Sequence, residues 1–370
     1  MSSESPAARA SASIRPFGNL TDGSAAELIT LRNSNGLTAS ITNFGATLVR
    51  VHTPDREGNL ADITLGYDSA AGYQCDTNPY LGATVGRFGN RIASGTLTVE
   101  GEFLQLATNN EPGGIPCHLH GGTVGFSRRL WEIVEATDTR VVLRYDSPDG
   151  DEGYPGSLST LVTYTLNEND ELVWEAVATT DRTTIVNLVH HSYWNLSGDL
   201  SSTILDHELQ VHASRYLPTD DGLIPTGELR AVEGTPLDFR SVHRVGARIE
   251  EDHACLKRAK GYDHAWALDA VDGDHVSLAA RLHHPESGRT LEILTNQPAI
   301  QVYTGNFLSE SCFTKPHHPG KAGISYPFRG GICLETENYP DAPNKPHFPC
   351  PFLRPGETYR HIEVHRFSVS

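Results

Sequence analysis

The 370-residue sequence contains no C-x-x-C pair, no glycine-rich phosphate loop, no nucleophile elbow and no apolar run near the roughly 20 residues of a membrane span. The six cysteines, Cys75, Cys117, Cys255, Cys312, Cys333 and Cys350, therefore read as reduced packing residues in a chain long enough to fold without staples. Nothing calls for a nucleotide, a covalent intermediate or any other cofactor. Positive charge is also scarce: 29 Lys and Arg against 46 Asp and Glu leave a net charge of −17, which disfavours nucleic acid, whose affinity rests on phosphate neutralisation. A neutral or cationic small molecule fits better. The opening dozen residues lack the basic and apolar regions of a signal peptide, so a soluble, cytoplasmic chain is expected, with no membrane partner.

Long helical periodicity is missing too. Residues 241–252 form the one plausible short helix, whereas two-residue alternation recurs throughout. Leu158, Val162, Tyr164 and Leu166 share one parity, and Leu172, Trp174, Ala176 and Ala178 repeat the pattern beyond the turn at 167–171, which predicts an antiparallel hairpin. A second hairpin is expected over Thr96–Leu106, with further strands at 140–146, 183–189, 276–282, 289–295, 299–304 and 358–369. The 34 glycines and 22 prolines supply turns between them. No repeat of 20 to 50 residues points to a propeller. The expected fold is all-β: a single large antiparallel β-sandwich over residues 15–370, behind a mobile N-terminal tail at 1–14.

Chemistry-bearing residues gather in a few short segments. Ile332-Cys-Leu-Glu-Thr-Glu-Asn-Tyr-Pro-Asp341 sets Glu335 in an apolar run, where a carboxylate can serve as a base, and the turn-rich stretch after it is expected to wall a pocket. In Asn187–Leu196 a strand would send His191 and Tyr193 to one face and His190, Ser192 and Trp194 to the other, so only one of the two imidazoles can enter a given pocket. Gly86-Arg-Phe-Gly-Asn-Arg-Ile92 offers Arg87 and Arg91, between which extended geometry does not choose. Cys117-His-Leu-His120 places His118 and His120 on one strand face, a metal-ligand spacing without a third ligand at diagnostic distance, so no metal site is expected. Asp263 beside Tyr262 and Trp266, and Gln301 beside Tyr303, belong to a sugar-binding vocabulary in which aromatic faces stack on C–H surfaces and polar tips read hydroxyls.

Taken in order, Gly86–Ile92, Leu119–Gly122, Gly125-Phe126 with Trp131, Pro148–Gly156, Asn187–Leu196, Gly261–His264, Gln297–Asn306 and Leu334–Asp341 resemble the aldose 1-epimerase, or galactose mutarotase, family from about residue 15 to the C-terminus. The resemblance implies a large antiparallel supersandwich and interconversion of the α and β anomers of free aldohexoses, galactose and glucose. It also implies Glu335 as the base and His191 as the acid. Asn90, Arg91, His120, Tyr193, Asp263 and Gln301 match positions that hold sugar hydroxyls and the ring oxygen. It thereby selects Arg91, His191 and His120 over Arg87, His190 and His118. A cofactor-free enzyme acting as a monomer or weak dimer on a small-molecule aldose is expected. The alternatives are a glycoside hydrolase using Asp263 and Glu335 as paired carboxyls, a non-catalytic sugar-binding module, and a hexose-phosphate epimerase. The chain departs from the family in having His190 before the acid histidine, extra Gly and Pro at 111–118, a lengthened stretch at 309–322, and Phe88-Gly89 before Asn90.

Overall fold

The computed structural model describes residues 13–76, 78–270, 273, 275–308 and 319–370. The alternating run at 158–178 folds as a hairpin, Leu158–Leu166 against Glu171–Thr180, with Leu158, Val162, Tyr164, Leu172, Trp174 and Ala176 on its buried face. Its turn is held by Asn167, whose side-chain oxygen accepts the N–H groups of Asn169 (2.9 Å) and Glu171 (3.1 Å). The hairpin forms the centre of a nine-stranded sheet with the order Glu132–Ala136, Arg140–Ser147, Leu158–Leu166, Glu171–Thr180, Tyr359–Val369, Arg289–Thr295, Ser277–His283, Glu208–Val211 and His243–Arg244. A six-stranded sheet runs Tyr193–Trp194, Ile332–Glu337, Ala299–Tyr303, Asp263–Ala267, Arg215–Tyr216 and Arg230–Ala231, and a five-stranded sheet is built from the first five strands. Neighbouring strands in all three are antiparallel.

One apolar cluster joins the three sheets, taking Ile41 from the five-stranded sheet, Tyr164 and Trp174 from the nine-stranded sheet, and Trp194, Trp266 and Ile300 from the six-stranded one. Each such side chain contributes about 1.5–3 kcal/mol on leaving water, so the sandwich is held by area rather than by any single contact. The six-stranded sheet turns Trp266, Ile300, Val302, Ile332 and Leu334 into this core. By the two-residue period, Asp263, Gln301, Tyr303, Cys333 and Glu335 face away from it. That second face is where polar side chains collect.

Three expectations need correction. The helix expected over 241–252 does not form: His243–Arg244 is a strand, Val245–Ala247 a 3₁₀ turn, and the helix lies later at Ala254–Ala259. Here the Val245 and Gly246 N–H groups bond to the carbonyls of His207 (2.8 Å) and Leu205 (2.9 Å), and a helix would give those partners up while fixing a glycine in its interior. The strand expected at 183–189 is broken into Thr184–Ile185 and Val189–His191, because Asn187 between them bonds sideways to Arg87, Gly89 and Asn338. The expected tail gives up its last two residues to the first strand, Ser13–Asn19, and residues 1–12 lie outside the described residues. No disulfide joins the described cysteines, and Cys312 is outside them. No helix among the described residues is long and apolar enough to cross a membrane.

Candidate active site

Asn90, Arg91, His120, His191, Tyr193, Asp263, Gln301 and Glu335 all line one cavity of about 480 Å³. They arrive from separate parts of the chain, and antiparallel pairing sets their spacing. Gln301 stands opposite Glu335, and Asp263 opposite Tyr303, on three adjacent strands. Across the cavity the strand Val189–His191 pairs with Ala83–Val85 and presents His191, while Arg91–Ala93 pairs with Cys117–Leu119 and presents Arg91. The central contact is His191 Nε2 to Glu335 Oε2, 3.5 Å, between two nearly inaccessible side chains. Gln301 Nε2 donates to Asp263 Oδ1 (2.6 Å), Arg91 Nη1 lies 3.8 Å from Asp263 Oδ2, and Arg91 Nε donates to Asn110 Oδ1 (3.3 Å). Tyr193 stacks on the His191 ring at 5.2 Å and donates its hydroxyl proton to the Pro79 carbonyl (3.0 Å), so its ring fixes the imidazole's orientation.

Burial dominates the electrostatics. It pushes the Glu335 carboxyl well above the ordinary 4.5, and Glu337, Asp263 and Glu363 add like-charge repulsion that Arg91 only partly offsets. Burial pulls His191 down to about 3, with His190 as a further unfavourable neighbour. Asp263 is raised by burial against the pull of Arg91 and Gln301. An acid raised and a histidine lowered, 3.5 Å apart, are two groups whose burial favours their uncharged forms, carboxyl and imidazole.

His120, His191 and Glu335 place one ligand atom each within 4.8 Å of one another, so the cluster invites a test as a metal site. The hydrogen-bond pattern answers it. His120 Nδ1 accepts the Asn90 backbone N–H (3.1 Å), and burial holds the ring well below 6.5, so the neutral ring carries its proton on Nε2. That nitrogen offers the cavity a hydrogen rather than a lone pair, which suits an oxygen-rich ligand and not a cation. A second group, His190, Glu363 and His365, is sealed between the sheets, where His190 Nδ1 faces Glu363 Oε1 at 3.2 Å and its Nε2 meets Ser192 Oγ at 3.1 Å.

Several neighbours in sequence sit elsewhere. His118 and His120 do not share a strand face: the strand ends at Leu119, His120 adopts φ 51°, and His118 is tied to Ala107 (2.7 Å) and Tyr154 (2.6 Å) outside the cavity. Arg87 is fully buried, donating to Ser147 and to the carbonyls of Pro148, Pro155 and Gly156. The turn-rich stretch after Glu337 does not line the main cavity as expected; of its residues Pro340 lines a small recess beside it, shared with Asn90, Asp263 and Gln301. The stretch braces the Arg91 strand from behind: Asp341 N donates to Arg91 O (2.9 Å), and Asp341 Oδ1 accepts from Ala93 N (3.0 Å). Sequence reasoning missed Tyr80, whose ring lies 4.7 Å from His120 and 5.8 Å from His191, and Phe307 and Lys260 at the rim. Glu111, Pro112 and Gly113, from the stretch richer in Gly and Pro, also line the cavity.

The sheets and the buried carboxyl–imidazole pair define the supersandwich class typified by galactose mutarotase. The solved aldose epimerase homologue from C. elegans has it, with a TM-score of 0.83 and 33% identity over 93% of this chain and 99% of its own. The sequence model of aldose 1-epimerase matches residues 27–366. Human galactose mutarotase is 42% identical over 96% of this chain and 98% of its own length, and the aldose 1-epimerase of Escherichia coli K12 is 38% identical over 94% and 96%. The chain belongs to the aldose 1-epimerase family.

Proposed function

We propose that this chain interconverts the α and β anomers of free aldohexoses, galactose and glucose, by opening and closing the hemiacetal. The observation that carries the reading is the approach of Glu335 Oε2 to His191 Nε2, 3.5 Å apart at a cavity wall. The two oxygens that exchange protons in this reaction, O1 and the ring oxygen, are bonded to the same carbon, so base and acid must converge on one point. Glu335 as carboxylate takes the O1 proton, and imidazolium His191 donates to the ring oxygen as the C1–O5 bond breaks. The aldehyde rotates about C1–C2, and closure on its other face returns each proton to where it came from.

The remaining residues hold the sugar. The His120 Nε2–H and the Arg91 guanidinium suit the ring oxygen, where negative charge grows before the proton arrives. Asp263, kept in place by the Gln301 amide, and Asn90 suit the ring hydroxyls. General acid and base steps contribute about 10²–10⁴-fold each, enough for a reaction that water already performs slowly. The test is polarimetry on freshly dissolved α-D-galactose and α-D-glucose. Equilibration accelerated by the wild type and not by Glu335→Gln supports the proposal, whereas rates equal to the uncatalysed ones with both sugars refute it.

A further inference from the structure

Glu337 lies two residues beyond Glu335 on the same strand and, by the two-residue period, on the same face, yet it does not line the cavity. It is wholly buried. Its Oε1 accepts from the Asn90 side-chain Nδ2 at 3.0 Å. Asn90 is a junction: its side-chain oxygen accepts the Arg91 N–H (2.9 Å), and its own N–H donates to His120 Nδ1 (3.1 Å). It holds this place with φ 62°, a left-handed conformation that asparagine enters more readily than other non-glycine residues but still less readily than negative φ.

We propose that Glu337 is a positioning residue for the epimerase reaction: through the Asn90 amide it sets both the Arg91 backbone and the tautomer and angle of His120. The inference rests on the sugar-binding reading of that cavity. The restraint matters because a free Asn90 would relax toward negative φ and carry its N–H away from His120 Nδ1. That would release the His120 proton from Nε2 and remove the hydrogen aimed at the sugar. Asn90 needs an acceptor at Oε1 and no more. The charged and titratable groups facing the carboxyl are Glu335, Asp263, Arg91 and Tyr359, with the Asn90 and Asn187 amides beside it. An uncharged acceptor there avoids repulsion with Asp263 and does not add charge beside Glu335, and burial, helped by Asp263, pushes the carboxyl up to about 8, so it is mostly protonated at neutral pH.

Polarimetric kinetics on four variants test this. Glu337→Gln keeps an uncharged acceptor and is expected to stay within about threefold of wild-type kcat/KM at pH 7. Glu337→Leu removes the acceptor and should lower kcat/KM about tenfold or more, with KM rising because sugar contacts loosen. Asn90→Gly, which tolerates the positive φ but loses both the link to Glu337 and the sugar contact assigned to Asn90, should lose at least as much. The double variant Glu337→Leu/Asn90→Gly should be no worse than Asn90→Gly alone, the signature of residues acting through one link. Wild-type kcat/KM in Glu337→Leu, or additive losses in the double variant, would overturn the inference. Should Glu337→Leu fail to melt cooperatively, Glu337→Asp replaces it, because the shortened side chain withdraws the acceptor from Asn90 and carries the same expectation. Turnover by the wild type tests the epimerase reading separately, so its failure and the failure of this inference are distinct results.

Discussion

Replacing Glu337 by Gln should make the protein more stable as pH rises, by an amount the buried site sets. The ordinary glutamate value of 4.5 is raised to about 8 because burial and Asp263 outweigh the help from Asn90, Asn187 and Arg91. The native state therefore binds this proton more tightly than the unfolded chain. The stabilisation that comes with the proton is fully present below 4.5 and is lost as pH rises through 8. That rise in proton affinity, at about 1.36 kcal/mol per tenfold change, is on the order of 5 kcal/mol above pH 8 and about 3 kcal/mol at pH 7. An unfolding entropy near 2.1 cal/mol/K per residue over 370 residues is about 0.8 kcal/mol/K, which converts these figures to about 6 °C and about 4 °C in Tm. The amide of Gln is uncharged at every pH and still offers Asn90 its carbonyl. Calorimetric Tm values for wild type and variant at pH 4, 7 and 9, at constant ionic strength, give a difference in which every titration not coupled to Glu337 cancels. The variant's advantage should grow from near its pH 4 baseline by about 4 °C and then about 6 °C. An advantage that is constant with pH, or that shrinks as pH rises, would refute the assignment of a proton to Glu337.

Three further outcomes are expected. Glu335→Gln should lower kcat about 10²–10⁴-fold while leaving sugar binding by calorimetry and Tm at neutral pH no lower than wild type, since it removes a carboxyl that Glu337 and Asp263 crowd. Turnover near wild type would remove Glu335 from the chemistry. His191→Asn should cost kcat on that same scale, whereas His190→Asn, which loses the buried hydrogen bonds to Glu363 and Ser192 and the ring packing on Trp174, should cost about 1–3 kcal/mol of stability and little kcat. The reverse order in a comparison of polarimetric kcat and denaturant midpoints would show the wrong imidazole was chosen. Arg87→Ala should destabilise by about 3 kcal/mol or more in urea unfolding, because several buried carbonyls lose their donor, yet leave kcat/KM of the folded enzyme near wild type. Arg91→Ala should do the opposite, and equal losses of kcat/KM in both would contradict the separation of the two arginines.

The elements that were legible in the sequence are those with one wet face. The hairpin at 158–180 alternates because Leu161 is exposed and Val162 buried, and the solvent does the sorting. The strand Ile332–Glu337 is buried on both faces at every residue, so its hydropathy carries no parity. Which way Glu335 points is set by its pairing with Gln301, a partner 34 positions earlier in the chain. His190 and His191 are equally inaccessible for different reasons, one packed between sheets on Glu363 and one at the cavity wall, and only the family resemblance separated them beforehand. Tyr80 carries no pattern at all: it reaches the two imidazoles from a loop with φ 62°. Glu337 was the avoidable omission, since its two-residue offset from Glu335 was visible and its partner Asn90 had already been singled out.

The shifts at Glu335 and His191 look adverse to the proposed roles, because a base should be deprotonated and an acid protonated. The proton count resolves this. A neutral carboxyl beside a neutral imidazole, and a carboxylate beside an imidazolium, are two tautomers of a pair that holds one proton. The proposed cycle passes between them: carboxylate and imidazolium face the cyclic sugar, and carboxyl and imidazole face the open aldehyde. Burial without a ligand favours the uncharged tautomer. In the proposed complex, a sugar held by Arg91 and the His120 N–H would supply dipoles that favour the charged one. An isomerase with no net transfer of protons gains nothing from a strong acid or a strong base, since tight or loose proton binding that helps ring opening hinders ring closure. A pair whose two tautomers lie close in free energy runs both directions, and the proposed role of the 3.5 Å contact between two nearly inaccessible side chains is to bring them close.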